Sequence, residues 1–178
     1  MKKFLVMAFM AVMALGASAQ VYLGGSIGYA HKTIDVEDEG ETFEVESDAF
    51  TIAPEIGYNL SEKWAVGAGL EYTWLKDAYN HFSINPYARY SYFRTDNNLV
   101  QLFIDGGFNI GYMKPDGGDS ECTWGIGLTP GIALNLTEKF SLVAHVGFLG
   151  YKDEKAAGKT YGLNLDGNDL SFGFYYNF

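Results

Sequence analysis

Side chains along residues 64–74 sort by parity. The even positions are Trp64, Val66, Ala68, Leu70, Tyr72 and Trp74, and the odd ones are Ala65, Gly67, Gly69, Glu71 and Thr73. A β-strand sends successive side chains to opposite faces, so one face here is aromatic and aliphatic and the other is tiny or polar. Residues 99–112 repeat the pattern, with Phe103 the exception on the small face, and so do 124–136 and 170–178. The segments near 21–31, 50–60, 81–92 and 140–151 follow it less cleanly. Eight strands are predicted. The second face is mostly Gly, Ala, Ser, Thr and Asn, too small and too poor in charge for a solvated exterior. It fits the crowded inside of a narrow barrel whose apolar face meets lipid. Closure is then obligatory, because an open edge in hydrocarbon strands backbone groups at several kcal/mol each. The fold class predicted is therefore all-β, an eight-stranded antiparallel up-and-down transmembrane β-barrel.

Aromatic residues gather at the segment ends, as interfacial girdles do. One set is Trp64, Tyr90, Tyr92, Phe93, Phe140, Tyr176 and Phe178, and the other is Tyr29, Trp74, Phe82, Tyr112, Trp124 and Phe148. Short connections at 61–63, 94–98 and 137–139 alternate with longer ones near 32–48, 76–80, 113–122 and 152–169. Short periplasmic turns and longer extracellular loops would put both termini of the barrel in the periplasm. Residues 52–64 (IAPEIGYNLSEKW) resemble 128–140 (LTPGIALNLTEKF), and a partial copy begins at Ile84. Repetition at one structural step supports the strand count. Each copy carries a proline, Pro54, Pro86 and Pro130, inside a predicted strand, where proline removes a ladder donor. Either a tolerated bulge or a systematically unpaired position would accommodate it.

Residues 1–19 stand apart: Lys2 and Lys3, an apolar run, then Ala17-Ser18-Ala19 before Gln20. That layout predicts a secretory signal peptide, leaving a single barrel domain over 20–178. The residue directly after the cleavage site is Gln20 and not Cys, which argues against a lipoprotein anchor, and the one cysteine, Cys122, permits no internal disulfide. Acidic side chains outnumber basic ones by 22 to 12, which argues against a nucleic-acid partner. With 13 Phe, 13 Tyr, 3 Trp and 22 Gly, the composition favours strands. No cofactor is indicated.

The ASAQ cleavage site, the early strand VYLGGSIGYA, the P-x-I-x-Y-N-L-S-E-K-W unit and the ending LSFGFYYNF together resemble the OmpA/OmpX-type outer-membrane barrels, in particular the porin-family barrels of Bacteroidetes. The resemblance implies residence in a Gram-negative outer membrane. It also implies that Phe172, Phe174, Tyr176 and Phe178 form the signal read by the barrel-assembly machinery. Members include anchors, adhesins, small-molecule binders and lipid-modifying enzymes, so the fold does not assign an activity.

Four charged residues, Glu55, Glu71, Arg89 and Asp105, share the inner parity on four successive strands. A buried charge needs a partner, so an ion-pair cluster closing the lumen is expected, with a narrow ion path as the alternative. Three acids against one Arg suggest that some carboxyl is protonated or hydrated. His81-Phe82-Ser83 superficially matches the His-x-Ser pair of lipid A deacylases. Those enzymes carry their pair on the lipid face with a Glu where this chain has Thr95, whereas His81 and Ser83 share the lumen parity, so catalysis is not expected. His145 is expected to be a hydrogen-bonded lumen residue. The segment 35–48 holds eight carboxylates. Oxygen ligands suit Ca²⁺ or Mg²⁺, which makes Asp35, Glu37, Asp38 and Glu39 a weak candidate metal site, although the spacing is not that of an EF-hand. The sequence thus points to a monomeric barrel with a structural or adhesion-like surface role through its loops, leaving room for an extracellular macromolecular partner. The runner-up is a barrel that binds or conducts a small hydrophobic or ionic ligand.

Overall fold

A computed structural model describes residues 20–38, 41–76, 78–154, 158–164 and 171–178, and within these the backbone alone of 30–47, 154, 158, 160 and 164. The signal peptide expected over 1–19 and the site residue Glu39 lie outside the described residues. The described chain is strand and turn: β1 (Val21–Asp38), β2 (Glu41–Asn59), β3 (Trp64–Leu75), β4 (Tyr79–Arg94), β5 (Val100–Pro115), β6 (Glu121–Asn135), β7 (Phe140–His145), β8 (Phe148–Glu154), β9 (Gly158–Asn164) and β10 (Ser171–Asn177). Consecutive strands pair antiparallel from β1 through β7, and β8 with β9, while β10 returns to β1 from Tyr22↔Asn177 to Ser26↔Gly173, closing the wall. β7 and β8 both lie against β6, while β10 pairs with β7 and β9 with β8. Ten segments thus make eight staves, the last two each in two pieces.

Parity in the wall is as the alternation requires. Trp64, Leu70, Tyr72, Trp74, Phe82, Ile84, Ile110, Tyr112, Trp124 and Ile126 are exposed on the outer face. Tyr22, Ala65, Phe103, Ala133, Val143 and Tyr175 form a buried core inside the lumen. Girdle rings also meet each other, with Trp64 against Tyr90 at 4.8 Å and Trp124 against Tyr151 at 5.0 Å.

The long connections are shorter than the sequence suggests, because the strands keep pairing past the membrane. The β1–β2 ladder runs without a break from Val21↔Tyr58 to Asp38↔Glu41. The expected loop at 32–48 is therefore mostly hairpin. The alternation of Thr42 to Val45 serves a ladder as well outside lipid as within it, since backbone pairing continues until a turn ends it. Likewise β3 and β4 are joined over 76–78, and β5 and β6 over 116–120.

The prolines account for three places where the wall is discontinuous; a further register shift, between Ser91↔Phe103 and Phe93↔Leu102, lies away from any proline. Pro54, Pro86 and Pro130 each pair in register with the preceding strand, opposite Gly25, Ala68 and Ile104. Toward the following strand the ladder lapses. β2–β3 pairing skips 53–54, β4–β5 skips 85–86, and β6 has no partners at 129–130. A missing N–H on one side of the strand has that consequence. Only the third lapse is a bulge. Between Leu128↔Leu149 and Gly131↔His145 the seventh stave holds one residue more than β6, and Val146 N–H donates to the Pro130 carbonyl at 2.9 Å. Gly147 turns there with φ of 69°, a left-handed conformation suited to glycine. The extra residue flips the parity of everything beyond it. Phe148, expected in a girdle, lies inside the lumen instead, close enough to Gly127 that a methyl group there would sit 2.5 Å from its ring.

Candidate functional site

Arg89 occupies the middle of the lumen. Its side chain is 6% exposed, and Nε and Nη2 donate to Asp105 Oδ1 and Oδ2, both at 2.7 Å. Nη2 also donates to the Tyr175 hydroxyl at 2.8 Å. Such a two-pronged guanidinium–carboxylate pair is the strongest way to satisfy two buried charges. The second carboxylate oxygen takes a further bond from His145 Nε2 at 3.1 Å, and the His145 ring stands edge-on to Phe103. The guanidinium carbon lies 3.9 Å from the Phe103 ring centre, 5.0 Å from Tyr175, 5.3 Å from Tyr87 and 5.8 Å from Tyr22. Tyr22 and Tyr87 join hydroxyls at 2.7 Å. A cation held among π faces and a carboxylate, away from water, gains from both.

Glycines make room for this ring of aromatics. Tyr22, Tyr87, Phe103 and Tyr175 are register partners of Gly57, Gly67, Gly131 and Gly24 on the adjoining strands. A methyl group at those glycines would come within 2.0, 2.6, 2.4 and 2.1 Å of the facing ring. Each ring lies across a bare stretch of its neighbour's backbone, as a narrow barrel demands.

The plug divides the lumen. At the chain-terminus end is a chamber of about 750 Å³ whose charged lining comprises Arg89, Arg94, Lys63, Glu62 and Glu138. At the hairpin-tip end is a chamber of about 450 Å³ lined by Glu55, Glu71, Asp105, His81, His145 and Lys152 among others. Of the four charged residues picked out from the sequence, all face the lumen, and three of them, Glu55, Arg89 and Asp105, interact at the plug while Glu71 stands apart. Arg89 and Asp105 are bonded. Glu55 lines the hairpin-tip chamber beside the plug, where its carboxyl interacts with the Tyr175 hydroxyl and the Arg89 charge, while its Oε1 is enclosed and without a hydrogen-bond partner. Glu71 sits higher, 3.8 Å from His81 Nδ1. On β3 the register partner of Arg89 is Ala65, and Glu71 lies six residues further along the strand, about 20 Å away and too far for a shared bond.

His81 is buried and its Nε2 lies 3.0 Å from Thr123 Oγ1, while Ser83 donates to Asn85 at 3.2 Å. Both are thereby engaged on the lumen side. Asp35, Glu37 and Asp38 lie in the distal half of β1, described by backbone only, and no group of three His, Cys, Asp or Glu among the described residues is placed to hold a metal ion. Cys122 is exposed and opposite Tyr112. Phe172, Phe174 and Tyr176 point outward from β10, where Phe174 stacks on Phe140 at 5.9 Å and Tyr176 meets Phe178 at 5.1 Å. Sequence reading missed Tyr22, Tyr87 and Tyr175 as plug residues. Their signal is the Tyr–Gly cross-strand pair, visible only once register is known.

Residues 3–178 match the family model described as an outer membrane protein beta-barrel domain. The chain belongs to that family. Its place is the outer membrane. Among solved structures, this beta-barrel domain is similar to Neisserial surface protein A (TM-score 0.60, 17% identity, covering 90% of this chain and 98% of that one). It is also similar to the N-terminal β-barrel domain of Pseudomonas aeruginosa OprF (TM-score 0.57, 16% identity, covering 89% and 98%). At these identities the likeness is one of fold. No curated protein sequence matches the chain significantly.

Proposed function

We propose that this outer-membrane barrel is a closed structural element that presents its extended hairpins at the cell surface, with an adhesion-like or envelope-supporting role and no catalytic one. The observation that carries the reading is the plug. Arg89 is locked to Asp105 within four aromatic rings, and an eight-stranded lumen has no width to spare around them. Function is thereby directed to the surface. The β1 and β2 strands have 18 and 19 residues, about eight more than the 9–11 a bilayer requires, so their hairpin stands well clear of the headgroups. In this reading the acidic sequence 35–48 is what the hairpin offers to a macromolecular partner. Both termini of the barrel are then periplasmic. Phe172, Phe174, Tyr176 and Phe178 serve as the signal for the assembly machinery, the barrel acts as a monomer, and residues 1–19 are its export signal.

The test is single-channel conductance of refolded protein in a planar bilayer, wild type against Arg89→Ala. No conductance in the wild type, with openings in the variant, is expected. Steady wild-type conductance would overturn the plug and make the lumen the functional site.

A further inference from the structure

The two lumen chambers differ in charge. Asp105 faces the hairpin-tip chamber, together with Glu55 and Glu71, whereas Arg89 faces the other. Within the first chamber the acids are unequally satisfied. Asp105 is neutralised by Arg89 and bonded by His145. Glu71 lies near His81. Glu55 interacts with the Tyr175 hydroxyl and shares the Arg89 charge with Asp105, yet keeps one enclosed oxygen that accepts no hydrogen bond. A carboxylate oxygen removed from water without a donor is costly, and such groups are rare in native structures unless a ligand or water completes them.

We propose that this chamber is a binding cup for a small organic cation, an ammonium compound with additional hydrogen-bond donors, and that Glu55 receives its charge. A volume of about 450 Å³ falls within the range of small-molecule sites. Asn85 and Asn109 on the wall offer amide groups to the rest of the ligand. The ligand is organic and not a bare metal ion, because no three of the described His, Asp or Glu side chains converge on one point. The carboxylates are spread, as suits a molecule with charge at one end and polar groups along it. The cup is blind. Arg89, behind Asp105, repels any cation that would go further, so the ligand is held and not conducted. The inference rests on the plugged reading of the barrel.

The test is calorimetric titration of the full-length barrel, refolded in detergent micelles, with 1,4-diaminobutane and separately with MgCl₂. Saturable diamine binding with one site is expected, and no comparable Mg²⁺ binding. Glu55→Gln, which keeps shape and removes charge, weakens the diamine by about tenfold or more. Glu71→Gln, nearer the mouth, weakens it by about threefold, and Lys152→Met tightens it by a similar factor. These last two decide the matter should Glu55→Gln fail to fold. Absence of saturable diamine binding, unchanged affinity in folded Glu55→Gln, or Mg²⁺ that binds as tightly and displaces the diamine would overturn the proposal. Conductance recorded on the same preparation separates the two readings: a leaking wild type breaks the plug, whereas a tight barrel without diamine binding breaks only the cup.

Discussion

Replacing Gly131 with alanine is the sharpest probe of the aromatic ring around Arg89. The new methyl group would lie 2.4 Å from Phe103 Cζ and 2.5 Å from Cε2, where about 3.5–4 Å is comfortable. Phe103 must retreat by roughly 1 Å to restore contact. It is 0% exposed and has nowhere empty to go. Overpacking of this kind costs about 1–3 kcal/mol. The retreat also withdraws the ring from the guanidinium, 3.9 Å away, forfeiting part of a desolvated cation–π contact worth ~2 kcal/mol. Together the loss is about 2–4 kcal/mol. Gly69 is the control. A methyl group there meets nothing closer than Glu55 Cβ at 3.7 Å, so Gly69→Ala should be neutral or slightly stabilising. The assay is reversible urea unfolding in micelles followed by tryptophan fluorescence. A cycle with Phe103→Leu completes it: with the ring gone, Gly131→Ala should cost about 1 kcal/mol or less. Equal costs at Gly131 and Gly69, or a cycle with no coupling, would refute the packing argument.

Two further changes test neighbouring features by the same unfolding measurement. Asp105→Asn leaves Arg89 buried without its counter-charge and should cost about 3–5 kcal/mol, whereas Arg89→Met combined with Asp105→Leu should cost less than Asp105→Asn alone. If the double change is the worse of the two, the penalty assigned to an uncompensated Arg89 is wrong. Gly147→Val forces a β-branched side chain into a left-handed backbone and should destabilise the barrel by about 1–2 kcal/mol, and a neutral result would remove the bulge as a conformational constraint.

Much of this wall was legible in the sequence because the bilayer enforces a strict rule. Every residue from Trp64 to Trp74 had to choose lipid or lumen, so parity alone identified both faces and the need for closure. The limit came where one residue is inserted. Nothing local marks Val146–Gly147 as a bulge, and parity carried through it put Phe148 on the wrong side. The candidate site was legible as charges and not as a structure. Parity put Arg89 and Asp105 in the lumen, and the register Arg89↔Asp105 makes them direct neighbours. Glu71 has the same parity but a different depth, which no single strand reveals. The tyrosines were hidden for a related reason. An aromatic residue on the inner face reads as an exception until the glycine opposite is known, and that is a property of two strands together.

The proline lapses bear on how the wall is put together. Uninterrupted ladders join β1 to β2, β3 to β4, and β5 to β6, while every lapse falls between these couples. The barrel is therefore stitched from hairpins, each knit along its whole length and basted to the next. A hairpin paired along its whole inner seam leaves fewer backbone groups to be satisfied by its neighbour. Amide exchange should follow the same grain, slow inside each couple and faster at the three joins, so that the seams of the wall can be read from its protection pattern.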